Sequence, residues 1–175
     1  VAFHDPELKD LLYQLKTFGI TGYEQVEYVG ANGKMNEFQA AMGLCNLRHV
    51  DADIAKRKVL TERYRERLGG VEGIRLCKEK AGVRYKYAYM PVVFEGYGAD
   101  RNEIFAALKE YNIFARKYFY PCINDYACYR EQFSSDDTPV AQRLASEVLQ
   151  LPIYPSCSLE TGDEICDTIL TCGEK

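Results

Sequence analysis

GANGKMNEFQAAMGL, residues 30–44, joins a glycine-rich loop to the predicted start of a helix. The glycines on either side of Asn32 indicate a backbone that turns tightly or lets another group approach closely. Asn36 followed by Gln39 resembles a capping box, which predicts that a helix begins there. The first turn of a helix attracts anions, so the pattern suggests that Asn32 and Lys34 bind a phosphate or a carboxylate. An ordinary turn followed by a helix cap is the alternative interpretation.

The helix that begins at Asn36 is predicted to be unusually long. Apolar residues recur at helical spacing as far as Leu68, where a pair of glycines ends the pattern. At ~1.5 Å per residue such a helix would be about 50 Å long, which exceeds what one small domain covers. We therefore expect it to pass from one domain into the next, with a kink in the charged segment 51–58.

Shorter elements flank this long helix. Before it, the residue pattern predicts a strand over 1–4, a helix over about 6–17 and a strand over 26–29. After it, the predicted strands cover residues 73–77, 87–94 and 113–120, an extended segment covers 151–154, and the helices cover 101–111, 138–149 and 159–172. This order predicts an α+β unit in which helices pack on one face of a small sheet.

A second informative stretch, ARKYFYPCINDYACY at residues 115–129, combines aromatic rings with basic side chains. If residues 113–120 form a strand, alternation places Tyr118 and Tyr120 on one face and Phe119 on the other, in the core. Two neighbouring phenols suit a sugar or a nucleotide, because rings stack and hydroxyls form hydrogen bonds. Ordinary core packing is the alternative, and binding of single-stranded nucleic acid is disfavoured by the acidic composition.

The composition limits the classes of function. The 175 residues are 47% hydrophobic and 27% charged, which predicts a folded globular chain. A formal net charge of -4 gives no global basis for binding the phosphates of nucleic acid. No apolar run reaches the ~18 residues of a membrane span, and the N-terminus lacks a signal-peptide pattern. We expect a cytoplasmic protein without a membrane partner, and Val1 enters an apolar run as if the chain began inside a larger fold.

The seven cysteines form no C-x-x-C pair, and the chain has two histidines, so no metal site is predicted. An odd number of cysteines in a chain long enough to bury a core favours free thiols in a reducing compartment. We expect these thiols to act as small buried apolar groups rather than as catalytic nucleophiles. They are Cys45, Cys77, Cys122, Cys128, Cys157, Cys166 and Cys172.

Three stretches share motifs with one family. Residues 1–19, VAFHDPELKDLLYQLKTFG, resemble a strand and helix that precede the signature G-x-N-x-(R/K)-M-x-E-x-Q-A-A-x-G-L, and KYFYP at 117–121 resembles R-x-Y-Y-x-P. These are motifs of the DegT/StrS-type sugar-nucleotide aminotransferases, and the chain resembles their C-terminal half. The signature is matched by Gly30, Asn32, Lys34, Met35, Glu37, Gln39, Ala40, Ala41, Gly43 and Leu44.

The resemblance implies an α/β fold of the aspartate-aminotransferase type, which is fold-type I among enzymes that use pyridoxal 5'-phosphate (PLP). On this interpretation residues 1–50 are the tail of the large PLP-binding domain. They include the start of the long helix, and residues 51–175 form the small α+β domain.

The implied activity is a two-step transfer of an amino group from an amino acid, usually glutamate, through PLP to a keto sugar linked to a nucleotide. The closest likeness is to members that act on thymidine diphosphate sugars, and such reactions supply amino sugars for cell-surface polysaccharide. The resemblance implies that Asn32 crosses a homodimer interface to the cofactor phosphate of the neighbouring subunit. It places Lys34 near the donor carboxylate or the sugar-nucleotide phosphates, and Tyr118 and Tyr120 in the sugar pocket.

The chain departs from the family pattern in two respects. Many members have a histidine two positions after the proline of the second motif, where this chain has Ile123. The family's Schiff-base lysine lies in an S-x-H-x-T-K segment, and no lysine here stands in that pattern, so none is assigned a catalytic role. The chain alone is therefore expected to be inactive. The alternatives are a non-catalytic relative that serves dimerisation or regulation, and a stand-alone ligand-binding α+β module.

Overall fold

The structure is a computed structural model that describes residues 3–174. Its contacts divide the chain into two compact units, Val1–His49 and Val50–Lys175. The assignment of residues 1–50 to the tail of a large domain and of residues 51–175 to a small domain stays a prediction.

The first unit consists of two helices and a short antiparallel hairpin, β1–β2. Its elements are α1 (Leu8–Lys16), β1 (Ile20–Gly22), β2 (Gln25–Val26) and α2 (Glu37–Leu47). The strand predicted over 1–4 falls partly outside the described residues, and Phe3 and His4 are not in a strand. The strand predicted over 26–29 is wrong beyond Val26.

The single long helix predicted from Asn36 to Leu68 is interrupted, and its second part is α3 (Val50–Leu68). The break lies at Arg48 and His49, whose amides donate to carbonyl oxygens three residues back, at 3.2 and 3.0 Å. Bonds of this kind tighten the last turn of a helix and end the α-helical ladder. The kink predicted within residues 51–58 is wrong, because α3 runs through that segment without a break.

The second unit is built around a three-stranded antiparallel sheet in the order β3–β4–β5. After α3 come β3 (Ile74–Leu76), β4 (Pro91–Phe94), α4 (Arg101–Glu110), α5 (Pro139–Glu147), β5 (Val148–Gln150) and α6 (Leu159–Gly173). The helix predicted over 138–149 ends earlier, because its last residues belong to β5. None of the helices within residues 3–174 has both the length and the apolar composition needed to cross a bilayer.

The core of this unit lies where α3, α4 and α6 meet the sheet, and all its central side chains are apolar or aromatic. Tyr64 is fully buried, and its hydroxyl donates to the Pro152 carbonyl oxygen at 2.9 Å, which satisfies its one polar group. In β4, the successive residues Val92 and Val93 are both buried, although they point to opposite faces of the sheet. The sheet is thus covered on both faces at β4, and not on one face only as predicted.

The strand predicted over 113–120 is wrong. Only Arg116 pairs with β5, through two backbone hydrogen bonds to Gln150 of 3.0 and 2.8 Å. The aromatic residues that follow have a high β propensity, but they are not paired with a neighbouring strand, and propensity alone does not form one.

The cysteines do not form the uniformly buried set that was predicted. Cys166 is buried, and burial raises the pKa of its thiol to about 12. Cys45, Cys77 and Cys128 are exposed free thiols, which corrects the prediction for these three residues. Within residues 3–174, no cluster of His, Cys, Asp and Glu side chains is placed to hold a metal ion.

An ion-pair cluster joins α3 to α6. The Arg63 guanidinium donates to both carboxylate oxygens of Asp163, at 2.7 and 3.0 Å, and Arg67 donates to the same carboxylate at 2.8 Å. These hydrogen bonds favour the ionised carboxylate, so they lower the pKa of Asp163 below its ordinary value. The hydrogen bond from Arg63 makes the largest contribution.

We expect Asp163→Asn to flatten the acid limb of the stability profile. A carboxyl group with a lowered folded-state pKa stabilises the fold above its unfolded pKa of about 3.9, and this contribution disappears as the pH falls through the folded value. The free energy of unfolding, from urea titrations between about pH 5 and pH 2, should therefore depend less on pH in the variant. Asp51→Asn is the control, because the Asp51–Arg84 pair is 80% and 85% exposed. Equal slopes in wild type and Asp163→Asn would contradict the expectation.

Candidate functional site

The loop from Gly30 to Lys34 is held against the end of α1 by backbone hydrogen bonds on both sides of Asn32. The Ala31 amide donates to the Leu15 carbonyl oxygen, and the Gly33 amide donates to the Lys16 carbonyl oxygen, each at 2.9 Å. Backbone bonds of this kind fix the direction in which the intervening residue projects. The sequence predicted the loop but not its attachment to α1.

Glycine is required at position 30 because the backbone of α1 and of the turn after it lies very close. A Cβ atom on Gly30 would lie 2.2 Å from the Gly19 nitrogen and 2.6 Å from the Leu15 carbonyl oxygen. Gly19 has φ +79°, in the left-handed region that glycine adopts without strain. The two glycines therefore allow the loop and the turn to pack together.

The predicted capping box at the start of α2 is confirmed. The Asn36 carboxamide oxygen accepts from the Gln39 amide at 2.9 Å, and the Gln39 side chain accepts from the Asn36 amide at 3.1 Å. The cap thus occupies two of the donors that could bind an anion, and Glu37 adds a negative charge in the first turn. Any anion bound here therefore depends on the side chains of Asn32 and Lys34 more than on the helix end.

Both of these side chains are exposed. The Lys34 Nζ lies 5.2 Å from the centre of the Phe18 ring, a cation–π distance that leaves the ammonium N–H groups accessible. The Asn32 carboxamide forms no hydrogen bond with the part of the chain that the structure describes. A neutral amide donor and a cation thus lie two residues apart on a fixed loop, an arrangement suited to phosphate or carboxylate groups.

The predicted sugar-pocket residue Tyr118 lies in the second unit and contacts two other rings. Its ring stacks on Tyr89, with ring centres 5.3 Å apart, and on Phe119, with ring centres 3.8 Å apart. The hydroxyl oxygens of Tyr118 and Tyr89 are 3.2 Å apart and share a hydrogen bond. Phe119 is 66% exposed, so its predicted place in the core is wrong, because residues 113–120 do not form a strand whose side chains alternate.

Tyr120 has different neighbours from Tyr118, so the two phenols do not form one wall as predicted. The Arg101 guanidinium carbon lies 4.8 Å from the centre of the Tyr120 ring, and Arg101 is only 3% exposed. Burial lowers the pKa of Arg101. Burial is also the main cause of the lowered pKa of Lys117, and the positive charge of Arg101 lowers that pKa further. A buried cation thus supports the face of an exposed phenol.

A cleft of about 420 Å³ lies beside Tyr118, and its wall is mostly apolar. Ile123, the residue that departs from the family pattern, belongs to this wall, whereas Tyr120 does not. The other members of the wall are Phe119, Pro121, Cys122, Asn124, Thr138, Ala141, Leu144, Ala145 and Val148. The shape suits a ligand with an apolar face that meets a phenol at the rim.

The structure therefore brings together one of the two predicted pairs, Asn32 and Lys34. Asn32 and Lys34 share the loop of the first unit, and Tyr118 and Tyr120 belong to the second unit, where they lie two residues apart with separate partners. Sequence analysis missed two contributors, Tyr89 and Arg101. The alternating tyrosines of residues 85–89 were a signal for Tyr89, but no local pattern indicated a role for Arg101.

Comparisons of sequence and of structure both identify sugar aminotransferases as similar to this chain. The chain is 37% identical over 169 residues to the dTDP-4-amino-4,6-dideoxy-D-glucose transaminase of Escherichia coli, covering 95% of this chain and 46% of that enzyme. The enzyme of the same name from Shigella dysenteriae is 34% identical over 170 residues, covering 97% of this chain and 46% of the relative. The chain thus spans about half the length of the curated relatives it matches.

The fold agrees with solved structures of such proteins. DesI, crystallised in the presence of its TDP-sugar product, superposes with a TM-score of 0.83 at 26% identity, covering 98% of this chain and 44% of DesI. The α/β fold of PLP-dependent sugar aminotransferases is therefore confirmed for this chain. The model of the DegT/DnrJ/EryC1/StrS aminotransferase family matches residues 1–170, and the chain belongs to that family.

Proposed function

We propose that this chain is the C-terminal portion of a PLP-dependent aminotransferase that transfers an amino group from glutamate to a keto sugar linked to a nucleotide. The observation that carries the proposal is the fixed loop, which presents Asn32 and Lys34 with exposed polar ends beside a capped helix. Relatives named for dTDP-4-amino-4,6-dideoxy-D-glucose support thymidine diphosphate as the nucleotide. The setting that we propose is the synthesis of amino sugars for cell-surface polysaccharide.

The residues of the loop fit the phosphate of PLP. The Asn32 carboxamide supplies a neutral N–H donor whose backbone is fixed on both sides, so little conformational entropy is lost when it binds. When bound, PLP supplies the carrier for the amino group. Lys34 then serves the substrate side, where its ammonium group pairs with the carboxylate of glutamate or with the diphosphate of the sugar nucleotide.

The two phenols are proposed as parts of the sugar pocket. Tyr118 lies at the rim of an apolar cleft, which suits the face of a deoxy sugar. Tyr120 presents an exposed ring over the buried Arg101 guanidinium, and that contact limits the movement of the ring. The exposed thiols Cys45 and Cys77 support a reducing compartment, and we propose the cytoplasm.

The most direct test of the proposal is product analysis with the full-length protein. Glutamate and a dTDP-4-keto-6-deoxy sugar should yield 2-oxoglutarate and the corresponding 4-amino sugar nucleotide, identified by mass spectrometry. Absence of transfer would favour the non-catalytic dimerisation or regulatory alternative. The residue that follows the S-x-H-x-T segment in the full-length protein gives an independent check, because a catalytic member has lysine there.

The full-length protein is expected to be a dimer in which Asn32 of one subunit serves the active site of its partner. Mixing Asn32→Ala subunits with subunits that lack the Schiff-base lysine should restore activity at limiting PLP. Each mixed dimer contains one site with both groups intact, and about half of the dimers in an equal mixture are mixed. The activity should therefore recover to about a quarter of the wild-type value. Sedimentation confirms assembly, and an active monomer would contradict the expectation.

The chain of 175 residues alone is expected to be inactive. Because none of its lysines stands in the Schiff-base motif, PLP should form no stoichiometric lysine imine with it at neutral pH. Absorbance spectroscopy of a PLP titration measures this, and each lysine can be replaced in turn as a control. A stoichiometric absorption band that disappears on replacement of one particular lysine would contradict the prediction.

A further inference from the structure

Tyr89 is an exposed phenol, and the proposed function as stated so far assigns it no role. It lies just before β4, is 59% exposed, and borders a cleft of about 330 Å³ that also contains Arg65 and Lys86. Tyr118 borders the other cleft, of about 420 Å³. The hydroxyl groups of Tyr89 and Tyr118 meet at 3.2 Å, so this pair connects the walls of two clefts.

The geometry makes the two phenols one hydrogen-bonding unit. A hydrogen bond between two hydroxyl groups uses one O–H as donor and leaves the other O–H available. The pKa of Tyr118 is raised, mainly by its hydrogen bond with Tyr89. Arg116 opposes this effect to a smaller degree. Either phenol can be the donor of this bond, and Tyr89 is the more exposed of the two rings.

We propose that Tyr89 is a specificity-determining residue of the sugar pocket, in which the Tyr89–Tyr118 pair presents its one free O–H as a donor to an oxygen atom of the sugar. This inference rests on the proposed function. The stacked ring of Tyr118, held between contacts with Tyr89 and Phe119, fixes the position of that donor.

The test measures binding rather than turnover, so that it is independent of catalysis. Calorimetry with the full-length protein gives the dissociation constant of a dTDP-linked 6-deoxy sugar with a hydroxyl group at C4, which can neither donate nor accept an amino group, for wild type and for Tyr89→Phe. Removal of one neutral hydrogen bond should weaken binding about three- to tenfold. The dissociation constant of PLP should not change. Tyr87→Phe is the matched control, because the Tyr87 hydroxyl lies 3.5 Å from Glu79 and not beside Tyr118.

A double-mutant cycle separates the pair from two independent residues. If Tyr89 and Tyr118 act as a unit, Tyr89→Phe combined with Tyr118→Phe should weaken sugar-nucleotide binding less than the product of the two single effects. The phenol rings remain in all variants, so the stacking contacts are preserved. Circular dichroism of each variant confirms that the fold is unchanged.

NMR titration of the 175-residue chain with ¹³C-labelled tyrosine supplies a readout that does not depend on any ligand. Tyr89→Phe should lower the pKa of Tyr118, whose resonance is assigned by its loss in Tyr118→Phe. An unchanged Tyr118 pKa would overturn the inference, because the hydrogen-bonded pair would not exist. A lowered pKa with unchanged sugar-nucleotide affinity would overturn it as well, because the pair would not contact the sugar. Binding without amino transfer in wild type would overturn the proposed function and leave this inference intact.

Discussion

Asn32→Ala in the full-length protein is expected to weaken PLP binding about tenfold to a hundredfold, because a hydrogen bond to a charged phosphate contributes about 1.5–3 kcal/mol. The variant removes the carboxamide and leaves the backbone bonds of Ala31 and Gly33 in place. Activity should therefore recover when PLP is supplied in excess. Fluorescence or absorbance titration of the apoenzyme with PLP measures the dissociation constant directly.

Lys34→Ala is the matched control on the same loop, and its effect should be of a different kind. Loss of the cation should raise the Michaelis constant for glutamate or for the sugar nucleotide, more strongly at low ionic strength, while PLP binding is retained. If Lys34→Ala loses PLP and Asn32→Ala loses only substrate affinity, the assignment of these two residues is wrong even though the family is right.

Gly30→Ala should reduce PLP binding at least as much as Asn32→Ala, although it removes no ligand. The added methyl group would meet the Gly19 nitrogen and the Leu15 carbonyl oxygen, and Leu15 is also the acceptor for Ala31. Relief of that contact requires the loop to move away from α1. We expect a cost of about 2–3 kcal/mol, which corresponds to a loss in affinity on the order of a hundredfold.

Amide hydrogen exchange in the 175-residue chain tests the cause of this effect separately from PLP binding. The Ala31 and Gly33 amides, which hold the loop on α1, should exchange faster in Gly30→Ala. Gly43→Ala is the control, because a Cβ atom at Gly43 has no neighbour within 4 Å and alanine favours the helix. Unchanged exchange at Ala31 and Gly33 in Gly30→Ala would show that the loop tolerates the methyl group.

The conformation of residues 30–44 could be predicted from sequence because its determinants are local. Asn36 and Gln39 are three residues apart, so the capping box depends on spacing alone. The glycines indicate a crowded backbone, because a residue without a Cβ atom lets another segment approach closely. The attachment of the loop to Leu15 and Lys16 could not be predicted, because backbone amides carry no sequence signal.

The surroundings of the phenols could not be predicted for a different reason. Tyr89 precedes Tyr118 by 29 residues, and a hydrogen bond at that separation depends on how the sheet places both segments. The alternation rule also failed for Phe119, because it holds only within a paired strand and Arg116 makes the single bridge to Gln150 in this region. The β propensity of this segment reflects its residue types, but it does not identify the residues that the phenols contact.

Ile123 in the cleft wall has a consequence for the conditions under which the protein works. A histidine at that position would supply a group that gains a proton near pH 6.5. Among the described residues that line this cleft there is no histidine, so mild acidification adds no charge to the wall. Mild acidification would therefore leave the electrostatic potential of this wall as it is at neutrality. In the proposed sugar pocket, protonation of this wall is then no switch for ligand binding near neutral pH.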